Sequence, residues 1–222
     1  PMLLNQNEIA LTVGSGDYWR WVSDFNLKTG EDAALRINAL LNVADGDGNN
    51  IDKQGIAPTF RWGIGTAEEF SAGLYHLQYK NGIDYGFPWL QNAISDAFKP
   101  GNYYGAKSDT MAGGTTYGTF SHVHRFNLTD ELRTVLRTGR YERDQRASAI
   151  RFCQPNPTTG VPNALCPASP LVTPGNIGPS TVLTRGSNNK IQDMDGSSLQ
   201  SDYSATLSAC GLKHAVLAGA DV

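Results

Sequence analysis

The segment Ile56–Gly65 alternates between apolar side chains and small or polar ones. The apolar row consists of Ile56, Pro58, Phe60, Trp62 and Ile64, and the opposite row of Ala57, Thr59, Arg61, Gly63 and Gly65. A period of two predicts a β-strand, because successive side chains of a strand point to opposite faces. A small, polar row that contains an arginine suits the wet interior of a transmembrane barrel, and about nine to eleven residues cross a bilayer at a tilt. The segment therefore predicts a membrane-crossing strand.

The same reasoning along the chain predicts about nine strands, which makes the fold all-β. They are Glu8–Gly14, Tyr18–Lys28, Ala33–Val43, Ile56–Gly65, Glu69–Lys80, Thr115–Asn127, Leu132–Phe152, Gln192–Leu207 and Lys213–Val222. We expect an antiparallel transmembrane β-barrel, present here in part. The row predicted to face lipid contains Trp19, Trp21, Leu35, Ile37, Phe60 and Trp62. The row predicted to face the lumen contains Asp24, Arg36, Asn38 and Arg61.

The predicted connections alternate between short and long. The turns near Thr29, Thr66, Leu128 and Gly211 are short, whereas those that begin at Asp45, Asn81 and Cys153 are longer. Outer-membrane barrels have this asymmetry, with short periplasmic turns and long extracellular loops. The segments 81–113 and 153–189 are too long for ordinary connections, which marks them as functional or mobile.

Composition excludes several classes of function. The net charge is −3 and no basic stripe is interleaved with aromatic residues, so no nucleic-acid partner is expected. No apolar run reaches the roughly eighteen residues of a spanning helix, and 24 glycines in 222 residues favour an all-β chain. The chain starts at Pro1 without a leader pattern, and we expect it to be a fragment.

The residues that could hold a metal do not form a convincing site. The 3 cysteines match no metal-binding spacing. His122 and His124 share one strand face, and we expect them to be structural residues of the lumen. Asp193–Gly196 lacks most of the ligands of a calcium loop and is predicted to be an ordinary loop. No resident cofactor or metal is expected.

Four groups of short motifs follow one another in order from about Glu8. They are Val13–Tyr18 with Asp24, Leu35–Asn38 with Gly55–Pro58, Asp84–Trp89 with Asn102–Gly105, and Leu136–Tyr141 with Lys213–Gly219. The third group contains a D-x-G-x-P-W core. Together they resemble the TonB-dependent outer-membrane receptors, and within them the ferric-siderophore receptors of the catecholate type. The resemblance implies that residues 1–222 are part of a barrel of about 22 strands, with the plug domain and remaining strands outside this chain.

The resemblance also implies a ligand and partners: a ferric siderophore as transported ligand, outer-membrane lipid, and an energy-coupling TonB-type protein that acts through the plug region. Aromatic rings beside positive charge would suit an anionic ferric catecholate at the extracellular mouth. The residues expected to bind it are Tyr85, Phe87, Trp89, Tyr103, Tyr104, Arg143 and Arg146. Because the outer surface is oxidising, Cys153 and Cys166 are expected to form a disulfide in an extracellular loop, with Cys210 unpaired.

Two other classes of protein remain open from the residues alone. One is an outer-membrane barrel enzyme of protease or lipase type, which would recruit a histidine as a base, although no motif places a nucleophile beside either histidine. The other is a soluble β-sandwich binding module, whose Trp-rich faces would pack together. Extraction distinguishes them, because a barrel requires detergent and a sandwich does not.

Overall fold

The computed structural model describes residues 1–46, 49–90, 93–99 and 101–222 and contains one antiparallel sheet. Its nine strands are β1 (Gln6–Gly14), β2 (Tyr18–Lys28), β3 (Ala34–Ala44), β4 (Ile51–Trp62), β5 (Glu68–Asn81), β6 (Thr110–Arg125), β7 (Glu131–Phe152), β8 (Leu183–Ala209) and β9 (Leu212–Asp221). Each strand pairs with the next along the chain, so the sheet order is the sequence order. The predicted all-β class and the nine strands are confirmed for the described residues.

Three strands differ from the sequence prediction by more than two residues. β4 begins at Ile51 and ends at Trp62, β6 begins at Thr110, and β8 begins at Leu183. The prediction that Asp193–Gly196 is a loop is wrong, because these residues lie within β8 and pair with residues of β7. The extra residues are mainly polar or glycine on both faces, so they carry no apolar alternation by which a strand can be recognised. The predicted connection Asp45–Asn50 includes residues 47 and 48, which lie outside the described part of the chain.

The register divides the sheet into an apolar and a polar face. Trp21 pairs with Leu41 and Leu35 pairs with Phe60, which places these side chains on one face because directly paired residues share a face. On the same face, Phe120 pairs with Leu136 and Leu136 with Leu199. The structure confirms that the two predicted rows lie on opposite faces of the sheet, which are called the lipid-facing and the lumen face below according to their predicted surroundings.

The apolar row is left uncovered by the rest of the described chain. Phe60, Phe120 and Leu136 are 40%, 43% and 46% exposed, although each lies on a strand that is paired on both sides. A soluble sandwich would bury such a row against a second sheet. The single layer therefore argues against the β-sandwich alternative.

The lumen face carries ion pairs between neighbouring strands. Arg36 Nε donates to Asp24 Oδ1 at 2.8 Å, and Arg61 pairs with Glu69. Arg125 Nη2 lies 3.2 Å from Glu69 Oε2, so two guanidinium groups share one buried carboxylate. Each of these charges has a partner on the wall, which lets them face the lumen without an unpaired charge.

The first residues of the chain lie against this same face. Asn26 Nδ2 donates to the carbonyl oxygen of Met2 at 2.8 Å, and Arg61 Nη1 donates to that of Pro1 at 3.2 Å. Asn26 is buried as a result. The segment before β1 therefore approaches the sheet from the lumen.

The predicted lumen position of His122 and His124 is wrong. His122 pairs with Phe70, and their rings stack at 4.5 Å on the lipid-facing side. Glu68 bridges the two histidines, with contacts of 2.6 Å to His122 Nε2 and 2.5 Å to His124 Nδ1. The aromatic rings around them lie near the short-turn end of the strands, where barrels carry an interfacial girdle. Because the two histidines are two residues apart on β6, the sequence shows that they share a face of the sheet. Only the pairing of β6 with β5 shows that this is the lipid-facing one.

The two longest connections lie at one end of the sheet, together with the short turn 15–17. These connections are the segments 82–109 and 153–182, and the short turns 29–33, 63–67, 126–130 and 210–211 join strands at the opposite end. Cys210 and Gly211 form the last turn with φ values of 53° and 76°. Among the described residues no helix is long and apolar enough to cross a membrane.

Candidate ligand-binding site at the long-loop end

The two long connections, called loop A (residues 82–109) and loop B (residues 153–182), are packed together by one apolar cluster. Its buried members are Phe98 from loop A, Phe152 from the end of β7 and Val172 from loop B. Partly buried residues that pack against them are Phe87, Leu90, Tyr104, Ile177 and Leu183. The cluster ties both loops to the part of β7 and β8 that extends past β6.

Phe98 is the centre of this cluster. Its ring centroid lies 5.6 Å from that of Phe87, 5.2 Å from Tyr104 and 6.0 Å from Phe152. The contact with Tyr104 is edge-to-face, a favourable geometry for aromatic rings. Two of the predicted ligand residues, Phe87 and Tyr104, thus have rings engaged in loop packing.

Tyr103 belongs to a second contact that fastens loop A to β7. Asp109 accepts hydrogen bonds from Tyr103 Oη at 3.2 Å, Ala106 N at 3.1 Å and Ser148 N at 3.0 Å. Ser148 Oγ donates to the other carboxylate oxygen at 2.9 Å. Burial, followed by the charge of Asp109, raises the pKa of Tyr103 to about 12. The Tyr103 hydroxyl is therefore protonated at neutral pH and serves as a donor within the loop.

Tyr85 reaches the lumen face and contacts the wall. Its hydroxyl oxygen lies 2.6 Å from Gln145 Nε2, and the side-chain oxygen of Gln145 accepts a hydrogen bond from Arg143. Arg143 and Gln145 are on the same face of β7, opposite Gln192 and Lys190 of β8. The predicted pair of an aromatic ring and a cation, Tyr85 and Arg143, is thus brought together through an intervening glutamine.

Arg146 occupies the other face of β7. It pairs with Asp144, whose carboxylate oxygens lie 2.9 and 3.1 Å from its Nε and Nη2. Arg143 and Arg146 are an odd number of residues apart, so the strand directs them to opposite faces. The structure does not bring Arg146 to Tyr85.

Trp89 is the most exposed of the loop aromatics. Its side chain is 68% exposed and lines a surface cavity of about 490 Å³ with Phe87, Arg151 and Phe152. The Trp89 ring could therefore contact a ligand beside Arg151 without disturbing the packing of the loops.

Below the mouth, the lumen wall carries a further group of aromatic and cationic side chains. The Tyr75 and Tyr117 rings stack at 4.8 Å, and Arg137 Cζ lies 4.4 Å from the centroid of the Tyr117 ring. Gly139 is needed beside Tyr117, since an added Cβ there would overlap the tyrosine backbone and Cβ. Among the described residues, no group of three histidine, cysteine or carboxylate side chains is placed to hold a metal ion.

No family model matches the chain. Among curated proteins, it is 25% identical over 159 residues to the catecholate siderophore receptor Fiu of Escherichia coli K12, a match that covers 64% of this chain and 21% of Fiu. It is 28% identical over 149 residues to a probable TonB-dependent siderophore receptor, PiuA of Acinetobacter baumannii, covering 62% of this chain and 20% of PiuA. The crystal structure of the ferric-catecholate import receptor Fiu from E. coli K12, in an open form, matches 100% of this chain with a TM-score of 0.83 at 22% identity. The chain is therefore similar to TonB-dependent receptors and has the fold of a part of their barrel.

The match to these receptors is partial in length. The chain spans 34% of the Fiu structure, and it spans 30% of the PiuA structure from A. baumannii, which it matches with a TM-score of 0.76 at 20% identity. Both structures have the fold of a TonB-dependent receptor barrel, so the open sheet described above is a part of such a barrel wall.

Gln145, Asn188 and Asp109 are parts of the mouth that the sequence alone did not predict. Gln145 is one of many polar residues in a strand, and it contacts Tyr85 across a sequence separation of 60 residues. Asn188 contacts the same hydroxyl across 103 residues. The single sequence contains no local pattern that marks these contacts.

Loop B contains a disulfide between Cys153 and Cys166, whose Cα atoms are 6.1 Å apart. Cys153 is 1% exposed and follows Phe152, so the bond adjoins the apolar cluster. Cys210 is exposed and has a free thiol.

Thiol counting provides a direct test of this pairing. Unreduced, denatured protein is expected to react with a thiol reagent only at Cys210, and reduced protein at all 3 cysteines. Replacing Cys153 and Cys166 with serine should remove about 3 kcal/mol of constraint by the chain-entropy model and make loop B more sensitive to protease. Cys210→Ser is the control and should leave protease sensitivity unchanged. Three reactive thiols in unreduced protein would contradict the disulfide.

Proposed function

We propose that this chain is part of the barrel of an outer-membrane receptor that takes up ferric siderophores by energy-coupled transport. The observation that carries the proposal is the site at the mouth, where Tyr85 and Arg143 meet on the lumen face of a receptor-type barrel wall. A receptor must hold its ligand where the pore opens to the outside, and loops A and B lie at that end.

The chemistry of the mouth matches an anionic ferric complex. Tyr85 and Trp89 offer exposed rings; Arg143 offers positive charge near Tyr85, and Arg151 lines the same cavity as Trp89. Flat catecholate rings pack against aromatic side chains, and a cation attracts the negative charge of the complex. Phe87, Tyr103 and Tyr104 support this surface by holding loop A in place, and Arg146 lies outside it. The iron arrives as cargo, so no resident cofactor is required.

The other partners follow from the same proposal. The exposed apolar row contacts outer-membrane lipid, and the coupling protein of TonB type acts through a plug region in the lumen. The path of residues 1–5 along the lumen face supports this arrangement, because it brings the chain to β1 from inside the wall.

The enzyme alternative has little support at the histidine pair. His122 and His124 both contact Glu68 on the lipid-facing side, near the short-turn end and away from loops A and B. The curated relatives are named as receptors.

Uptake of radioactive iron tests the proposal. The complete receptor is expressed in iron-starved cells that lack other siderophore receptors, and uptake is measured with labelled ferric catecholate. Replacing Tyr85 and Trp89 together with alanine should weaken binding about tenfold or more, the size of a binding hot spot. Collapse of the proton gradient should abolish uptake while leaving binding intact.

Phe126→Ala is the matched control, since Phe126 is also an exposed ring but lies in a turn at the opposite end of the sheet. It should bind and transport normally. Unchanged binding by the double variant at normal surface level would show that these rings do not contact the ligand. A wild-type receptor that imports no ferric siderophore would overturn the proposed function itself.

A further inference from the structure

Gln145 lies between Arg143 and Tyr85 and forms a hydrogen bond with each of them. It is 3% exposed, although it lies on the lumen face of a barrel strand. Its side-chain oxygen accepts from Arg143 Nη2, and its Nε2 donates to the Tyr85 hydroxyl at 2.6 Å. The amide has only one orientation that satisfies both neighbours, because a reversed amide would direct its NH₂ group at the guanidinium.

The Tyr85 hydroxyl is thereby made a donor toward the lumen. Its oxygen accepts from Gln145 and lies 3.4 Å from Asn188 Nδ2, a second donor. A phenol has one proton to donate, and no acceptor for it is found among the described residues. That proton remains available for a ligand oxygen.

Arg143 keeps its charge uncompensated. Other arginines of the wall and its extension, such as Arg36, Arg61 and Arg146, form ion pairs with carboxylates. In the described part of the chain, Arg143 contacts a neutral amide instead, and its Nε is buried without a hydrogen-bond partner. A guanidinium has five N–H groups, so several remain to bind a ligand.

From these contacts we infer that Gln145 is a positioning residue that makes the mouth selective for anionic ligands. Its amide fixes the positions of the Arg143 and Tyr85 side chains without neutralising the arginine. Both side chains therefore present hydrogen-bond donors to a ligand. A complex that brings negatively charged oxygens satisfies those donors, whereas a neutral complex gains less from the charge. This inference rests on the proposed function and adds the residue that makes the site prefer negatively charged ligands.

The substitution Gln145→Glu tests the inference with almost no change of shape. A carboxylate would accept from both Arg143 and Tyr85, which would neutralise the cation and occupy the free hydroxyl proton. The probes are ferric tris-catecholate, which is anionic, and ferric tris-acetohydroxamate, which is neutral. Binding of each to the purified complete receptor in detergent is measured by tryptophan fluorescence quenching.

We expect the wild-type receptor to prefer the anionic complex and Q145E to lose about tenfold or more of its affinity for that complex alone, the cost of removing a charge-assisted contact. Gln78→Glu adds the same charge on the opposite face of the sheet and is the matched control, with unchanged preference. An equal loss for both probes would show a merely structural role for Gln145, and an unchanged preference would also overturn the inference. A wild-type receptor that binds neither probe would overturn the proposed function and the inference together.

Discussion

Replacing Phe98 with alanine is expected to release loops A and B together. Phe98 is buried and contacts Phe87 and Tyr104 of loop A and Phe152 at the end of β7, and it shares the apolar cluster with Val172 of loop B. Truncating a buried phenylalanine costs about 3 to 5 kcal/mol, through lost burial and the cavity that remains. Because strands β1–β6 contribute no residue to this cluster, the loss should appear as local opening of the loops.

Hydrogen exchange of the complete receptor in detergent measures this opening. Amide protection in loop A and loop B should fall in the F98A variant, while that of β2–β4 should stay unchanged. Ile94→Ala is the control, since Ile94 is in the same loop but is 50% exposed. If loop B kept its protection in F98A, the two loops would be independent, and the apolar cluster would not couple them.

An arginine in place of Phe120 is expected to destabilise the barrel by about 2 to 4 kcal/mol, the cost near the bilayer midplane. Phe120 lies on the lipid-facing side between Ala72 and Leu136. At about 2.5 Å of depth for each residue of a tilted strand, it is about 13 Å from the short-turn end of β6, half of a 25 Å apolar band. Phe60 lies closer to its strand end at Trp62, so Phe60→Arg should cost less.

Urea unfolding of the receptor in lipid vesicles gives the free energy of unfolding for these variants. The control is Asn38→Arg, which places the same charge on the lumen face opposite Asp24 and should be near neutral. A similar loss of unfolding free energy for F120R and N38R would mean that both faces of the sheet are exposed to the same solvent. The assignment of lipid to the apolar row would then be wrong.

The alternation of the strands was sufficient to predict the fold class and the two faces. Phe60, Trp62 and Leu35 were assigned to one face and Arg61 and Arg36 to the other, and the register confirms both sets. This succeeded because the side chains of a strand alternate with a fixed period of two, and because lipid and water select different residues on the two sides. The asymmetry of the connections predicted the ends of the sheet for a similar reason, since loop length can be read directly along the chain.

The arrangement of the mouth was decided by tertiary structure. Tyr85 and Arg143 were both selected from the sequence, but the glutamine between them was not, because the contact of Gln145 with Tyr85 depends on how loop A folds back over β7. The odd spacing of Arg143 and Arg146 places them on opposite faces of β7, but only the strand register and the position of loop A show that Arg143 is on the face that Tyr85 reaches. Local periodicity specifies which side chains share a face, whereas loop packing and strand register bring residues distant in sequence into contact, and neither is encoded in a period of two.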